Sequence, residues 1–257
     1  MTKTMTPSDD RAVLRLAGPE TRDFLQGLIT NDMAQARASL IYTALLTPQG
    51  KYLADFFVTD RGEDVLIDVA APLASTLAQR LGMYRLRAKV TIEATDIPVA
   101  RGTGPAPQGA MPDPRDPAMG WRGYGIDAPA DDGTDWTALR VALCIPETGV
   151  ELVPDATYIL EAGFERLHGV DFRKGCYVGQ EVTARMKHKT ELRKGLAPVA
   201  VEGAAPVGTE ITSGGKTAGT LYSQAQGRGI AFLRFDRAGH DMQAGPATVR
   251  WPASSSG

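Results

Sequence analysis

The chain has 257 residues, 43% of them hydrophobic and 23% charged, the balance of an ordinary folded soluble protein with room for one large domain or two to three small ones. Its formal net charge of −2 excludes a bulk basic field for long nucleic acids, so any anion site has to be a local patch. The two cysteines, Cys144 and Cys176, form no CxxC pair and are too few to hold a structural zinc or an iron–sulfur cluster by themselves.

The first residues, MTKTMTPSDDRAVLRL, lack the apolar stretch of a signal peptide, and no run approaches the ~18 apolar residues of a membrane span. A cytoplasmic protein with no membrane partner is expected. RAVLRLAG (11–18) alternates as a strand does, and PETRDFLQGLIT (19–30) sets Phe24, Leu25, Leu28 and Ile29 on one helical face after Pro19. LIYTALLT and KYLADFFVT flank Pro48-Gln49-Gly50 and predict a hairpin, and DVLIDVA (64–70) predicts a further strand. In PLASTLAQRLG, Leu73, Leu77 and Leu81 recur at i, i+4, i+8, which predicts an amphipathic helix stopped at Gly82. YRLRAKVTIE (84–93) alternates again and predicts a strand with Arg85, Arg87 and Lys89 on one face.

RGTGPAPQGAMPDPRDPAMG (101–120) is rich in Pro and Gly and predicts a long surface loop. Order resumes at WTALRVALCIPETG, and PDATYILEAGFERLHGV (154–170) predicts a helix. After Gly195, short strands separated by Gly and Pro clusters predict a small all-β barrel or sandwich with a hairpin at Gly214-Gly215. The order of segments makes the chain α+β with at least two domains.

The chemistry concentrates in FRKGCYVGQEVTARMKHKTELRKG (172–195). Arg173, Lys174, Arg185, Lys187, Lys189, Arg193 and Lys194 stand there against Glu181 and Glu191 alone. A solvated face is the plain alternative, but Gly175 and Gly179 favour a tight loop whose backbone can approach a ligand. Lys174 beside Cys176 favours a thiolate; a small buried side chain is the competing reading. Asp55, among Leu53, Phe56 and Phe57, faces solvent or a site, and alternation favours solvent; Glu161 in YILEAGF carries the same ambiguity. Asn31-Asp32 reads as a helix end or turn. His168, His188 and His240 have no metal-ligand spacing, and GGKT (214–217) lacks the upstream Gly and following helix of a phosphate-binding loop.

KGCYVGQE (174–181) resembles the signature of the YgfZ family of folate-binding proteins, relatives of the aminomethyltransferase (T-protein) of the glycine cleavage system. GPETRDFLQGLITNDM, LLTPQGKYLADFFV, YRLRAKVTI and LEAGFERLHGVDFRKGCYVGQE extend the resemblance over nearly the whole chain. It implies mixed α/β lobes around a central hole over residues 1–192, with loop 101–120, and a small C-terminal β-barrel over 193–257. It implies tetrahydrofolate or another reduced folate as cofactor, with Glu161 at the pterin and Asn31, Lys174, Tyr177, Gln180, Glu181 and Arg185 as further folate contacts. Asp55 falls in the strand where the T-protein keeps an acid near the one-carbon unit, and Cys176 is the reactive thiol; no stably held metal is expected. The implied role is an accessory to iron–sulfur cluster assembly or repair, and through it tRNA modification. Its partners are iron–sulfur client or assembly proteins, without strong nucleic-acid binding. The alternatives are a folate-dependent one-carbon transferase and an RNA- or protein-binding module using the 173–194 patch.

Overall fold

The computed structural model describes residues 10–37, 39–127, 132–188 and 191–251. The chain divides into two compact units, Met1–Thr134 with Glu165–Val182, and Asp135–Phe164 with Thr183–Gly257.

The first unit is built on five antiparallel strands, β1 (Arg11–Ala17), β2 (Ile41–Leu46), β3 (Tyr52–Asp60), β4 (Asp64–Ala70) and β5 (Thr91–Thr95), in the order β2-β3-β4-β1-β5. Thr47, Pro48, Gln49 and Gly50 close the expected β2–β3 hairpin, with Gly50 N–H donating to the Thr47 carbonyl at 2.8 Å. One face of the sheet carries Leu14, Leu16, Ile41, Leu45, Phe56, Val58, Val65 and Ile67. Helices α1 (Thr21–Gln26) and α2 (Ala74–Arg85) bring Leu25, Leu77 and Leu81 into the same core. Alternation therefore reads out correctly here: every second strand residue lies under a helix.

Three expectations are corrected in this region and just beyond it. Helix α2 runs through Gly82 to Arg85, so 84–90 is not a strand; β5 begins only at Thr91. An exposed helical Gly costs about 1 kcal/mol relative to Ala, less than Leu77 and Leu81 gain by burial. The Pro- and Gly-rich segment 101–120 is not a plain loop either. It contributes to a three-stranded sheet of β6 (Val99–Gly102), β7 (Met111–Pro112) and β8 (Trp121–Tyr124), ordered β6-β8-β7, with a 3-10 turn at Pro117–Met119 that the Asp116 carboxylate caps. Finally, 154–170 is a succession of turns. Asp155, Gly163 and His168 sit at φ 61°, 80° and 55°, and each breaks α geometry. The periodic apolar residues Ile159, Leu160, Phe164 and Leu167 are nevertheless buried, so the pattern reported burial and not helix.

In the second unit, helix α3 (Trp136–Ala142) begins under an Asp135 cap, its carboxylate accepting from Ala138 N–H at 2.9 Å. Helix α4 (Gln180–His188) follows the signature loop and starts in the first unit. Six strands then close into a barrel: β9 (Lys194–Glu202), β10 (Thr209–Ser213), β11 (Lys216–Ala225), β12 (Arg228–Arg234), β13 (Met242–Ala244) and β14 (Ala247–Arg250), in the order β10-β11-β12-β9-β14-β13. Val199, Val201, Ile211, Leu221, Leu233 and Val249 fill its interior, and closure leaves no strand edge of the barrel unpaired. Gly214-Gly215 is the β10–β11 hairpin, and a strand follows it, as the reading of GGKT required.

Candidate functional site

The signature loop is held by a lysine. Lys174 is 7% exposed, and its ammonium donates to the carbonyls of Gln26 at 2.8 Å, Asn31 at 3.0 Å and Ile29. The Gln26 carbonyl is free to accept because it ends α1 and has no helical partner, and the Ile29 and Asn31 carbonyls belong to the turn that follows the helix. Burial pushes the Lys174 ammonium down to about 8, while three carbonyl acceptors and nearby Asp32 and Asp171 favour its charged form. All three ammonium protons are thereby engaged, so Lys174 acts as a brace and leaves none for a folate carboxylate. The expected pairing of Lys174 with Cys176 is also altered. Cys176 is exposed, whereas the ammonium two residues earlier is directed into the protein.

Further bonds fix the same loop. Asp171 N–H donates to Thr30 O at 3.0 Å and Val178 N–H to Gly27 O at 3.2 Å. The Asn31 amide donates to Tyr42 O at 2.9 Å and His168 O at 2.7 Å, while its oxygen accepts from Asp32 N–H at 2.9 Å. Asn31 thus ties β2 to the approach of the loop. Tyr177 is buried with its ring centroid 5.0 Å from the Lys174 ammonium. At Gly179 the backbone turns with φ 82°, and a Cβ there would stand 2.5 Å from Thr47 O, so only glycine lets the loop lie on the β2–β3 hairpin. The loop then delivers α4, with Gln180 half-buried and Glu181 and Arg185 exposed. Glu181 lies in its first turn and Arg185 in its last, each matched to the helix dipole.

Asp55 is not on a solvent face. It is 6% exposed and accepts from the Tyr42 hydroxyl at 2.9 Å and the Tyr52 hydroxyl at 2.8 Å. Alternation correctly put it on the face opposite the main core, but that face is covered as well. Burial, with the adjacent Asp55 charge second, drives Tyr42 well above the ordinary tyrosine range, so its hydroxyl keeps its proton. The cover comes from the segment expected to be a loop. Arg122 donates to Asp68 at 2.8 Å and Asp113 at 3.0 Å, Arg115 pairs with Asp113 at 2.8 Å, and Arg11 with Asp68 at 2.6 Å. The guanidiniums of Arg115 and Arg122 lie 4.8 and 3.9 Å from the Phe57 ring centroid, and Arg115 also lies 5.6 Å from that of Tyr42. Burial alone would raise both acids. The charges of Arg11 and Arg122 outweigh it and hold Asp68 below the usual carboxylate range, and those of Arg115 and Arg122 hold Asp113 down at about 2. The sequence reading missed Asp68, Asp113, Arg115 and Arg122; an acid inside the apolar run DVLIDVA was the one available signal.

Glu161 belongs to the second unit. Its backbone carbonyl accepts from Leu196 N–H at 2.7 Å, which seats it against β9. Its carboxylate is 11% exposed and stands 3.5 Å from the Lys194 ammonium. Together with Arg193, Lys194, Arg234, Glu191 and Asp236 it lines a cleft of about 770 Å³. Arg234, at the end of β12, was not foreseen; a lone cation in a barrel strand gives no sequence signal. Among the described residues no cluster of His, Cys, Asp and Glu could hold a metal ion, and no helix is long and apolar enough to cross a membrane.

Comparison with known proteins gives a consistent picture. The family profile of the CAF17 C-terminal beta-barrel domain matches residues 193–254. The mouse mitochondrial iron–sulfur cluster assembly factor IBA57 is 31% identical over 88% of this chain and 76% of its own length. The human mitochondrial protein has the same identity and coverage, and the mitochondrial homologue of Neurospora crassa is 33% identical over 79% of this chain but only 55% of its own length. Among solved structures, the glycine cleavage system aminomethyltransferase T of Bartonella henselae superposes with a TM-score of 0.71 at 14% identity, over 93% of this chain and 82% of that one. The expected cytoplasmic location is corrected by these relatives, which are mitochondrial proteins. The fold of the T-protein, the closed C-terminal barrel and this level of identity together make the chain a member of the IBA57 family, a YgfZ-type group.

Proposed function

We propose that this chain binds a reduced folate and supports the assembly or repair of iron–sulfur clusters, with tRNA modification depending on it through iron–sulfur enzymes. Relatedness to IBA57 supports the cluster-assembly half of the reading. The observation that carries the rest is the division of labour within the signature. Lys174 and Tyr177 are buried as anchors, and the loop they hold presents Cys176 to solvent. One thiol cannot hold a cluster alone, so Cys176 completes a ligand set with a partner protein's thiols or meets a client transiently.

The donor set of the second-unit cleft fits a folate. A pterin offers adjacent N–H donors that one carboxylate can accept, and Glu161 is a nearly buried carboxylate on the wall. The glutamate tail is anionic, and Arg193, Lys194 and Arg234 line the same space. The volume of about 770 Å³ lies in the range of small-molecule sites. A bound reduced folate would supply a one-carbon unit or reducing equivalents. Arg185, in the part of α4 that belongs to the second unit, stays a candidate contact.

The test is titration with tetrahydrofolate, read by tryptophan fluorescence and melting temperature. Binding by the wild-type protein, weakened about tenfold in Glu161→Gln, is expected. No response to folate defeats the cofactor assignment. Cys176→Ala should bind folate normally yet fail to restore iron–sulfur enzyme activity in a strain lacking the wild-type protein; full restoration removes the thiol from the function.

A further inference from the structure

The cations of YRLRAKVTI take no part in the site described above. Residues 71–92 hold Arg80, Arg85, Arg87 and Lys89 and no acid at all, in a chain with 30 acids and a net charge of −2. All four cations are exposed, and among the described residues none of them forms an ion pair. Arg85 makes a 3.3 Å bond to the Val90 carbonyl, which holds the segment in a tight knuckle at the end of α2. At the tip, Leu86 is 88% exposed and Met83 is 64% exposed, the two most exposed large apolar side chains among the described residues.

The backbone at this point is unusual. Leu86 follows α2 at φ 45° and ψ −105°, the first central position of a turn closed by Ala88 N–H donating to the Arg85 carbonyl at 2.7 Å, a conformation that turns normally give to glycine. A bulky apolar residue held in a strained conformation and pointing at water costs stability and returns nothing inside the unit, which is the signature of a contact made elsewhere. Beside it lies a notch of about 420 Å³ lined by Ala17, Gly18, Arg85, Arg87 and Lys89.

We propose that this knuckle is a docking surface for an acidic segment of a partner protein, with Leu86 and Met83 as the apolar contact and Arg80, Arg85, Arg87 and Lys89 as the charged surround. Charge complementarity selects the acidic partner: the four cations form no ion pair among the described residues, the one carboxylate recorded beside them, Glu20, accepts from the Lys89 backbone N–H at 2.9 Å and not from a cationic side chain, and the excess positive charge attracts carboxylates and repels basic surfaces. The notch selects a protein. A protruding side chain of the partner can seat in the concavity between Gly18 and Arg87. The proposal is independent of the folate and cluster readings.

The probe is a fluorescein-labelled peptide of glutamates around a central leucine, followed by anisotropy with the full chain. Wild-type binding should weaken about tenfold between about 50 and about 200 mM salt. The double variant Arg85→Glu/Arg87→Glu should lose at least about tenfold in affinity, and Leu86→Ser about threefold with the salt dependence kept. Lys216→Glu/Arg228→Glu, on the barrel surface, is the charge control and should bind as wild type. Unchanged melting temperatures in all variants exclude unfolding as the cause. Absence of peptide binding, an equal loss in the barrel control, or binding to vesicles containing anionic phospholipid without binding to the peptide each overturns the proposal, the last in favour of a membrane surface.

Discussion

Tyr42 donates its hydroxyl to the Asp55 carboxylate across the β2–β3 pair at 2.9 Å, on a sheet face where both residues are buried. Tyr52 donates its hydroxyl to the other Asp55 carboxylate oxygen at 2.8 Å. An acid in such a place is tolerated because donors replace the water it has lost. Tyr42→Phe or Tyr52→Phe should therefore each lower stability by about 1–3 kcal/mol, the cost of leaving a buried charged acceptor short of one bond. Chemical denaturation measures this directly. A change below about 0.5 kcal/mol for both variants would show that Asp55 is satisfied in another way.

Asp68 and Asp113 govern the response to acid. Arg11, Arg115 and Arg122 hold their native values below those of free carboxylates, near 2 for Asp113. The native state consequently binds fewer protons than the unfolded chain between about pH 4 and about pH 2. Stabilisation from these groups is complete above about pH 4 and is lost as pH falls through that window. Urea unfolding from pH 6 downward should show the decline, and Asp113→Asn should be less stable at neutral pH with a shallower fall. An identical slope in the variant would assign acid sensitivity to other carboxylates.

Lys174 acts in the same direction but in an alkaline window. Burial lowers its native value to about 8, below the ~10.4 of an unfolded lysine. Between these values the unfolded chain binds more protons, so stability attributable to this group should rise as pH climbs from about 8 to about 10.4. Lys174→Met should lack that rise and should also lose the carbonyl bonds that pin the signature loop. Comparing the two proteins at pH 7, 8, 9 and 10 checks the slope; parallel curves would sink it.

Gly179→Ala should cost about 1–3 kcal/mol, because the new methyl meets Thr47 O at 2.5 Å on a backbone at φ 82°. Gly50→Ala has a softer conflict, 2.8 Å from the Val182 side chain, also at positive φ. The two residues approach each other, with a Cβ on Gly179 falling 3.2 Å from the Gly50 Cα. The double variant should thus be less than additive. Full additivity in thermal unfolding would mean the loop and hairpin yield independently.

The sequence by itself determined what depends on local pattern. Period-two alternation located β1 to β4 and the barrel strands, turn residues located the hairpins at Gly50 and Gly214-Gly215, and the KGCYVGQE signature located the anchored loop. Only the tertiary structure decided which faces are covered and which polar groups meet. Asp55 looked like a solvent-facing position and Asp68 gave no reading at all, whereas β8 and Arg115 cover their side of the sheet, with Arg122 reaching Asp68 from 54 residues away. Lys174 looked like a ligand cation, but three carbonyls, the farthest 148 residues off in sequence, accept its hydrogen bonds. The apolar period of 154–170 reported burial faithfully while positive φ at Asp155, Gly163 and His168 turned a helix into turns. The reason is common to all of these. Periodicity records how often a side chain is hidden, whereas what hides it, and in which backbone geometry, is fixed by long-range packing that no local window contains.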